Sequence, residues 1–337
     1  MRQRDVSLDI IRIVACVFVV AMHSPMPSDN ANGVFLVALS YFTAPCIGLF
    51  FMVSGALLLP VKEEYPTFLK KRFGKVLWPT LFWTVIYIAL NIYKTPESVN
   101  IIATVMSIPL SAQGNGVLWF MYTLAGLYLL APILSGWLQC AGKKDIQIVL
   151  SLWCVTLCYP IFEQWLMINE SVTGILYYFG GYAGYFLLGY YLKKYPDSLS
   201  LPGSAIIAGL GVVILLLAKH YEIEIDFYRM FWYLSIFVVA LSVTIWKSVV
   251  AIVKRVKIKE TKLIARLSNL SFGIYLCHIL IMREMIWNIN WIDSMTNYVL
   301  QSALIFVLTV VISAILCELL SRLLFAQALI GYRYSRK

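Results

Sequence analysis

The sequence predicts an all-α, polytopic integral membrane protein with about ten transmembrane helices, and its composition and hydropathy support this fold class. Of the 337 residues, 61% are hydrophobic and only 13% are charged, which is about half the charged fraction of an ordinary soluble domain. The mean hydropathy is +0.81. Because the spans leave no room for a soluble domain of ordinary size, we expect a single membrane domain over residues 1–337, without a separate aqueous catalytic domain.

Apolar stretches of about 17–25 residues, the length that crosses the hydrocarbon core as a helix, define the expected spans. Along the chain they lie at 7–26, 34–60, 74–93, 116–138, 146–163, 173–192, 203–219, 228–247, 271–289 and 296–322. Two shorter apolar segments, 98–111 and 261–271, are expected to lie along a membrane interface. An even number of spans places both termini on the same side of the membrane.

The distribution of Lys and Arg sets the orientation. Most of the 27 basic residues fall at the termini and in alternate loops, whereas only a few, such as Lys94, Lys219 and Arg229, fall near the opposite face. By the positive-inside rule both termini are predicted to be cytoplasmic. The same scatter excludes nucleic acid as the reason for the net charge of +10, because no basic face is formed.

The seven cysteines predict neither a metal site nor a disulfide framework. Nearly all of them fall within apolar runs, and none has the paired spacing of a zinc site. We interpret them as small buried hydrophobic residues. The first apolar run contains Asp9, Arg12 and His23 and lacks a cleavage site, so we expect a permanent helix and not a signal peptide.

Ionisable side chains at membrane depth are the main candidates for function, because burying them in a bilayer costs several kcal/mol. Span one contains Asp9, Arg12 and His23. Arg12 and His23 are eleven positions apart, which puts them within about 20° of one helix face and about 16 Å apart. The alternative interpretation is that Asp9 and Arg12 neutralise one another and His23 caps the helix end.

Further candidates lie in later spans. His278 is predicted near the middle of span nine, where it is either an acid/base or binding group or a buried structural hydrogen-bonding group. Glu318, near the cytoplasmic end of span ten, is expected to form a structural ion pair at the level of Arg12. Ser54 and Gly55 either serve the site or permit close helix packing.

The basic run between spans two and three ends in Arg72 and Lys75. Such a run is often a topology signal or a contact for anionic headgroups. It is also where a phosphorylated cofactor from the cytosol would first be held.

Five segments in order resemble the acyltransferase 3 family of integral-membrane acyltransferases. They are LDIIRIVACVFVVAMH with Asp9, Arg12 and His23, then FFMVSGALL, VLWFMYTLAGLYLLAPIL and SFGIYLCH, and finally Glu318. The stand-alone members that acetylate surface glycans are the most similar. Two positions depart from the family pattern: Lys75 replaces the second arginine of a frequent Arg-x-x-Arg motif, and Ala56 stands where an aromatic residue is common.

The resemblance implies an O-acetyltransferase that modifies polysaccharides of the cell envelope. Acetyl-CoA from the cytosol would be the donor, and a cell-surface glycan or lipid-linked sugar would be the acceptor. The protein would lie in the bacterial cell (inner) membrane, in contact with membrane lipid. His23 is expected to be the general base in a catalytic motif with Asp9 and Arg12. The donor is expected to bind Arg12 and Ser54 of the first two spans, and Arg72 and Lys75 of the basic run that follows them.

Two other classes of function are compatible with parts of the sequence. Polar residues within spans are also what a proton-coupled transporter of a small solute or glycan requires. No inverted repeat or pair of broken helices supports that interpretation. A purely structural subunit does not explain three ionisable groups in span one.

Overall fold

The computed structural model describes residues 4–28, 31–95, 102–103, 106, 108, 118–166 and 174–334, with only the backbone for 164–166. All regular structure in these ranges is helical. Within them, eight helical stretches are long and apolar enough to cross a membrane: Val6–His23, Gly33–Leu58, Tyr65–Lys94, Trp119–Cys140, Leu201–His220, Ile236–Val256, Lys262–Ile286 and Tyr298–Ser321. The chain is a polytopic, all-α membrane protein, as the sequence predicts.

The α-helices that bear on the site are numbered here in chain order. They are α1 (Val6–His23), α2 (Gly33–Thr43), α3 (Pro45–Leu58), α4 (Tyr65–Lys94), α5 (Trp119–Cys140), α6 (Lys143–Thr156), α7 (Tyr159–Leu166), α8 (Ala183–Lys194), α9 (Leu201–His220), α10 (Phe227–Met230), α11 (Ile236–Val256), α12 (Lys262–Leu280), α13 (Asn290–Asp293), α14 (Tyr298–Ser321) and α15 (Ala326–Ile330). A π-helix, Ile281–Ile286, continues α12.

Two predicted spans differ from the rest because their helices are interrupted. The span at 146–163 is divided into α6 and α7 just before Pro160, which cannot donate a helical hydrogen bond. In the span at 173–192, Gly181 has a φ of +81°, so α8 begins only after it. The 12 residues of α8 reach about 18 Å, less than the hydrocarbon core of about 30 Å.

The two predicted interface segments have different outcomes. Most of 98–111 lies outside the described residues, as do positions 116–117 and 173 of two predicted spans. The prediction for 261–271 is wrong, because these residues form the first turns of α12. Ser268 and Leu270 are buried there, whereas Leu263 is exposed, so the segment is the beginning of a long apolar helix and only its later residues pack inside the protein.

The chain divides into two compact units. The first contains Met1–Val19, Gly33–Pro60 and Ile133–Ile264. Its helices α3 and α8 touch through their backbones: a Cβ on Gly55 would lie 1.8 Å from the carbonyl oxygen of Phe186, and one on Gly189 would lie 1.9 Å from that of Met52. Gly55 of the Ser54-Gly55 pair therefore permits close helix packing, as small residues do in membranes.

The second unit contains Val20–Asn32, Val61–Pro132 and Ala265–Lys337. In this unit α15 packs against α4 and α14, and α14 also packs against the π-helix. The Trp83 indole donates a hydrogen bond of 2.9 Å to the carbonyl of Leu329. Gly331, with a φ of +68°, ends α15 close to the Lys75 carbonyl. The last described part of the chain is thus fixed to the helix that carries the basic run.

Candidate functional site

Helix α1 carries Asp9, Arg12 and His23 without interruption. The Asp9 carboxylate is only 5% exposed and pairs with Arg4, whose Nη2 lies 3.0 Å from Oδ1 and whose Nε contacts Oδ2. This two-point contact supplies the compensation that a buried carboxylate needs. Arg12 is half-buried on the same helix as His23.

The end of α1 is fixed directly after His23. Ser24 precedes Pro25, and a residue before proline is disfavoured in the helical conformation. Two residues farther on, the Tyr298 hydroxyl of α14 donates a hydrogen bond of 2.9 Å to the Met26 carbonyl. These constraints hold His23 in the last turn of the helix, where its side chain is half-buried.

His23 meets His278 within the second unit. The ring centroids are 5.3 Å apart and the ring planes form an angle of 63°. His278 is completely buried on α12, whereas His23 keeps part of its surface accessible. The sequence predicted both residues as candidates at membrane depth but did not pair them.

The hydrogen bonds of His278 define its protonation state. Its Nδ1 lies 2.6 Å from the carbonyl oxygen of Tyr275. Because a carbonyl oxygen only accepts hydrogen bonds, Nδ1 must carry a proton, and in the neutral ring Nε2 then carries the lone pair. In the part of the chain that the structure describes, this buried Nε2 has no hydrogen-bond partner.

Neighbouring helices hold α12 at the level of His278. The Tyr87 hydroxyl of α4 donates a hydrogen bond of 3.0 Å to the Leu276 carbonyl. The Phe120 ring of α5 packs edge-on against Tyr275, with centroids 5.2 Å apart. The π-helix begins three residues after His278, and such segments are frequent at functional sites. The imidazole is therefore positioned by three helices of one unit.

The basic run places two cations on successive turns of α4. The Arg72 guanidinium lies over the Phe68 ring, 5.9 Å from its centroid, and its buried Nε has no hydrogen-bond partner among the described residues. Lys75 is exposed. In contrast, Lys71 pairs with Glu63 ahead of the helix, and this hydrogen bond lowers the pKa of the Glu63 carboxyl.

Glu318 is an ion-paired residue in the second unit. Its carboxylate receives Arg266 of α12 through two contacts, one of them 2.6 Å from Nε to Oε2. Arg322 approaches the same group at 3.2 Å. The structure thus places Arg266 and Arg322 on Glu318, whereas the sequence suggested Arg12. The ion pair between Arg266 of α12 and Glu318 of α14 therefore joins these two helices.

A family comparison decides the class of the protein. Residues 5–318 match the family Acyl_transf_3, described as an acyltransferase domain. The chain belongs to the acyltransferase 3 family. No curated protein and no solved structure matches it. The protein is therefore a multi-pass membrane acyltransferase, which moves an acyl group from a donor to an acceptor.

The matched range of this acyltransferase contains every candidate residue from the sequence. The structure places Asp9, Arg12 and Ser54 in the first unit, and His23, Arg72, Lys75, His278 and Glu318 in the second. Ser54 is half-buried on α3. Over the described ranges, no group of three or more His, Cys, Asp or Glu side chains is arranged to hold a metal ion.

Sequence reasoning missed three residues of the acyltransferase that shape the site. Tyr275 acts through its backbone carbonyl, which no side-chain pattern reveals, although it lies in the SFGIYLCH segment. Tyr87 and Arg266 act across tertiary contacts. Arg266 was predicted to lie in an interface segment. The uninterrupted helical pattern through 262–280 is long enough to have indicated that Arg266 belongs to the spanning helix instead.

Proposed function

We propose that this acyltransferase is an O-acetyltransferase that uses acetyl-CoA to acetylate a hydroxyl of a cell-surface glycan or of its lipid-linked precursor. It would act in the bacterial inner membrane. The contact between His23 and His278 in a chain of this family carries the proposal. It places a half-accessible imidazole at a helix end, against a second imidazole that is completely buried.

The chemistry assigns His23 as the general base. An imidazole accepts a proton near neutral pH. His23 takes the proton of the acceptor hydroxyl while the oxygen attacks the thioester carbonyl of the donor. The carbon–sulfur bond then breaks, and the coenzyme A thiolate leaves and takes up the proton from His23. His278 is not the base in this scheme, because a completely buried ring does not reach a glycan.

The donor phosphates are assigned to basic groups of the first helices. Arg72 supports this assignment because its guanidinium is stacked on Phe68 and its Nε is unpartnered among the described residues. Lys75 adds a charge but not the two-point geometry of an arginine. Arg12 and Ser54 are proposed to contact the donor as well, and the Arg4 pair of Asp9 fixes the helical turn from which Arg12 projects.

The test is release of free thiol from acetyl-CoA by the purified protein in nanodiscs, with a panel of glycans and lipid-linked sugars. We expect His23→Ala to reduce transfer by at least about 100-fold, the lower end for a lost general base. His220→Ala is the matched control, because His220 lies at the exposed end of α9, and it should leave the rate unchanged.

Three results would contradict parts of the proposal. Transfer that survives in folded His23→Ala would remove His23 from the mechanism. Turnover with another acyl-CoA but not with acetyl-CoA would overturn the choice of donor. A folded protein that releases no thiol with any acyl donor, yet moves a labelled glycan across a vesicle membrane, would instead support the transporter alternative.

A further inference from the structure

The buried imidazole of His278 has one nitrogen in a hydrogen bond and one nitrogen without a hydrogen-bond partner among the described residues. The Tyr275 carbonyl fixes the proton on Nδ1, so that Nε2 is an acceptor. A buried acceptor without a partner costs about 1–3 kcal/mol. Such a group in a native structure calls for an explanation, and a functional role is one of them.

The neighbouring imidazole offers the partner that this acceptor requires. His23 lies with its ring centroid 5.3 Å from that of His278, edge to face. The two rings are in contact, but His278 Nε2 is not within hydrogen-bond geometry of a His23 nitrogen in this arrangement, so a bond between them requires a small rotation of a ring. The second ring that contacts His278 belongs to Tyr275, at 5.8 Å, and the Tyr275 backbone already takes the Nδ1 proton.

We propose that His278 is a positioning residue whose Nε2 accepts a hydrogen bond from His23 when the His23 ring turns toward it in the working enzyme. This bond holds the proton of neutral His23 on the nitrogen that faces His278, and so leaves the lone pair of the other nitrogen for the acceptor hydroxyl. It also stabilises the imidazolium that forms when His23 takes a proton. The inference rests on the proposed role of His23 as the base.

The arrangement follows the logic of catalytic triads, in which a third group orients the base. In those sites the orienting group is usually a carboxylate. A neutral imidazole performs the same task without placing a second charge in a membrane-embedded site, where an unpaired charge is costly. The Tyr275 carbonyl would in turn orient His278, so the chain of hydrogen bonds runs from backbone to His278 to His23.

Nitrogen NMR tests the geometry without relying on activity. The chain has only three histidines, so protein labelled with ¹⁵N-histidine in nanodiscs shows three imidazoles, which His23→Gln, His220→Gln and His278→Gln assign. We expect His278 as the neutral ring with the proton on Nδ1, and a scalar coupling between a His23 nitrogen and His278 Nε2. A proton on His278 Nε2 would overturn the proposal.

Two substitutions separate positioning from structure. In His278→Asn the amide nitrogen takes the place of Nδ1 and still donates to Tyr275, but no acceptor replaces Nε2. In His278→Gln the longer side chain brings an acceptor oxygen near the Nε2 position. We expect both to fold, with kcat reduced about 100-fold in His278→Asn, recovered to within about 10-fold of wild type in His278→Gln, and an unchanged KM for acetyl-CoA.

Each other outcome counts against the proposal. Equal activity of the Asn and Gln variants would show that Nε2 is not used, and a raised KM with normal kcat would make His278 a binding residue. Adding His278→Asn to His23→Ala should cause no further loss, because the two residues act as a unit. If His23→Ala alone stays active, the proposed function fails, whereas the NMR result still reports the His23–His278 bond.

Discussion

At the residue scale, accessibility separates the two histidines of the site. His23 lies in the last turn of α1 and is half-buried, whereas His278 is completely buried on α12, which α4 and α5 contact at Leu276 and Tyr275. A proton-transfer group must reach its substrate to within hydrogen-bond distance, whereas a positioning group must be held without motion. The two environments therefore suit two different roles on one reaction.

Arg72 provides a prediction about donor binding. We expect Arg72→Ala to raise the KM for acetyl-CoA about 10- to 100-fold with little change in kcat, since a hydrogen bond to a charged group contributes about 1.5–3 kcal/mol. Arg72→Lys should be intermediate, because it keeps the charge but loses the planar donor fork. Steady-state kinetics at saturating acceptor measure both effects.

The neighbouring Lys71 serves as the control for this prediction. Its ammonium is already engaged by Glu63, so Lys71→Ala should change the KM for the donor less than about 3-fold, as expected for an exposed charge. An unchanged KM in Arg72→Ala would locate the phosphates elsewhere. Equal effects of Arg72→Ala and Lys71→Ala would indicate general charge attraction and no specific site.

The candidate site shows which residue-level features can be predicted from sequence. His23 and His278 stand out because imidazoles are costly within apolar runs, a property of each segment alone. Their contact, and the partners of Glu318, arise from packing between segments distant in sequence. A helix periodicity carries no information about such pairs, so Arg266 was not predicted as the partner of Glu318.

At the element scale, hydropathy predicts a helix wherever a long apolar run is uninterrupted. Eight of the expected spans overlap with long apolar helices of the described chain for this reason, although the helix in the span predicted at 228–247 is Ile236–Val256. The exceptions, α6–α7 and α8, depend on local backbone constraints at Pro160 and Gly181. Averaged over about 19 residues, a hydropathy window does not register one proline or one left-handed glycine.

The contact between α3 and α8 leads to a prediction about stability. In Gly55→Ala the new methyl group would lie 1.8 Å from the Phe186 carbonyl oxygen, and because this neighbour is backbone, the helices must move apart. We expect a loss of at least about 1–3 kcal/mol, as for overpacked interiors. The melting temperature of the purified protein in detergent measures the change.

Gly209 is the matched control for the helix contact. It lies within α9 and is exposed, and the methyl group of an alanine there would have no neighbouring atom within 4 Å. Gly209→Ala should therefore leave the melting temperature unchanged or raise it, because alanine favours the helix over glycine by up to about 1 kcal/mol of free energy. If Gly55→Ala were as stable as Gly209→Ala, the backbones of α3 and α8 would not be in contact.

At the scale of the whole molecule, the orientation in the membrane stays a prediction from the charge pattern. The basic residues cluster at the termini and in alternate loops, so an even number of crossings would place them on one side of the membrane, the cytoplasmic side. In the described residues, the regular structure of both compact units is helical. The expectation that residues 1–337 act as one membrane domain stays a prediction.

Cysteine labelling tests this orientation and the number of crossings. The native Cys140 is exposed at the end of α5 and should react with a membrane-impermeant maleimide only when the cytoplasmic side is open. In a Cys140→Ser background, the exposed positions Glu224→Cys and Tyr178→Cys should react in intact spheroplasts, because the predicted topology places Glu224 in an outer loop and Tyr178, which precedes α8, at the outer end of its span. The unmodified Cys140→Ser protein gives the background. Labelling of Tyr178→Cys only from the cytoplasmic side would show that the interrupted helices α6–α7 and α8 do not cross the membrane. The protein would then have eight spans, with both termini still cytoplasmic. Labelling of Cys140 from outside would invert the whole topology and place the proposed donor site on the wrong side for cytosolic acetyl-CoA.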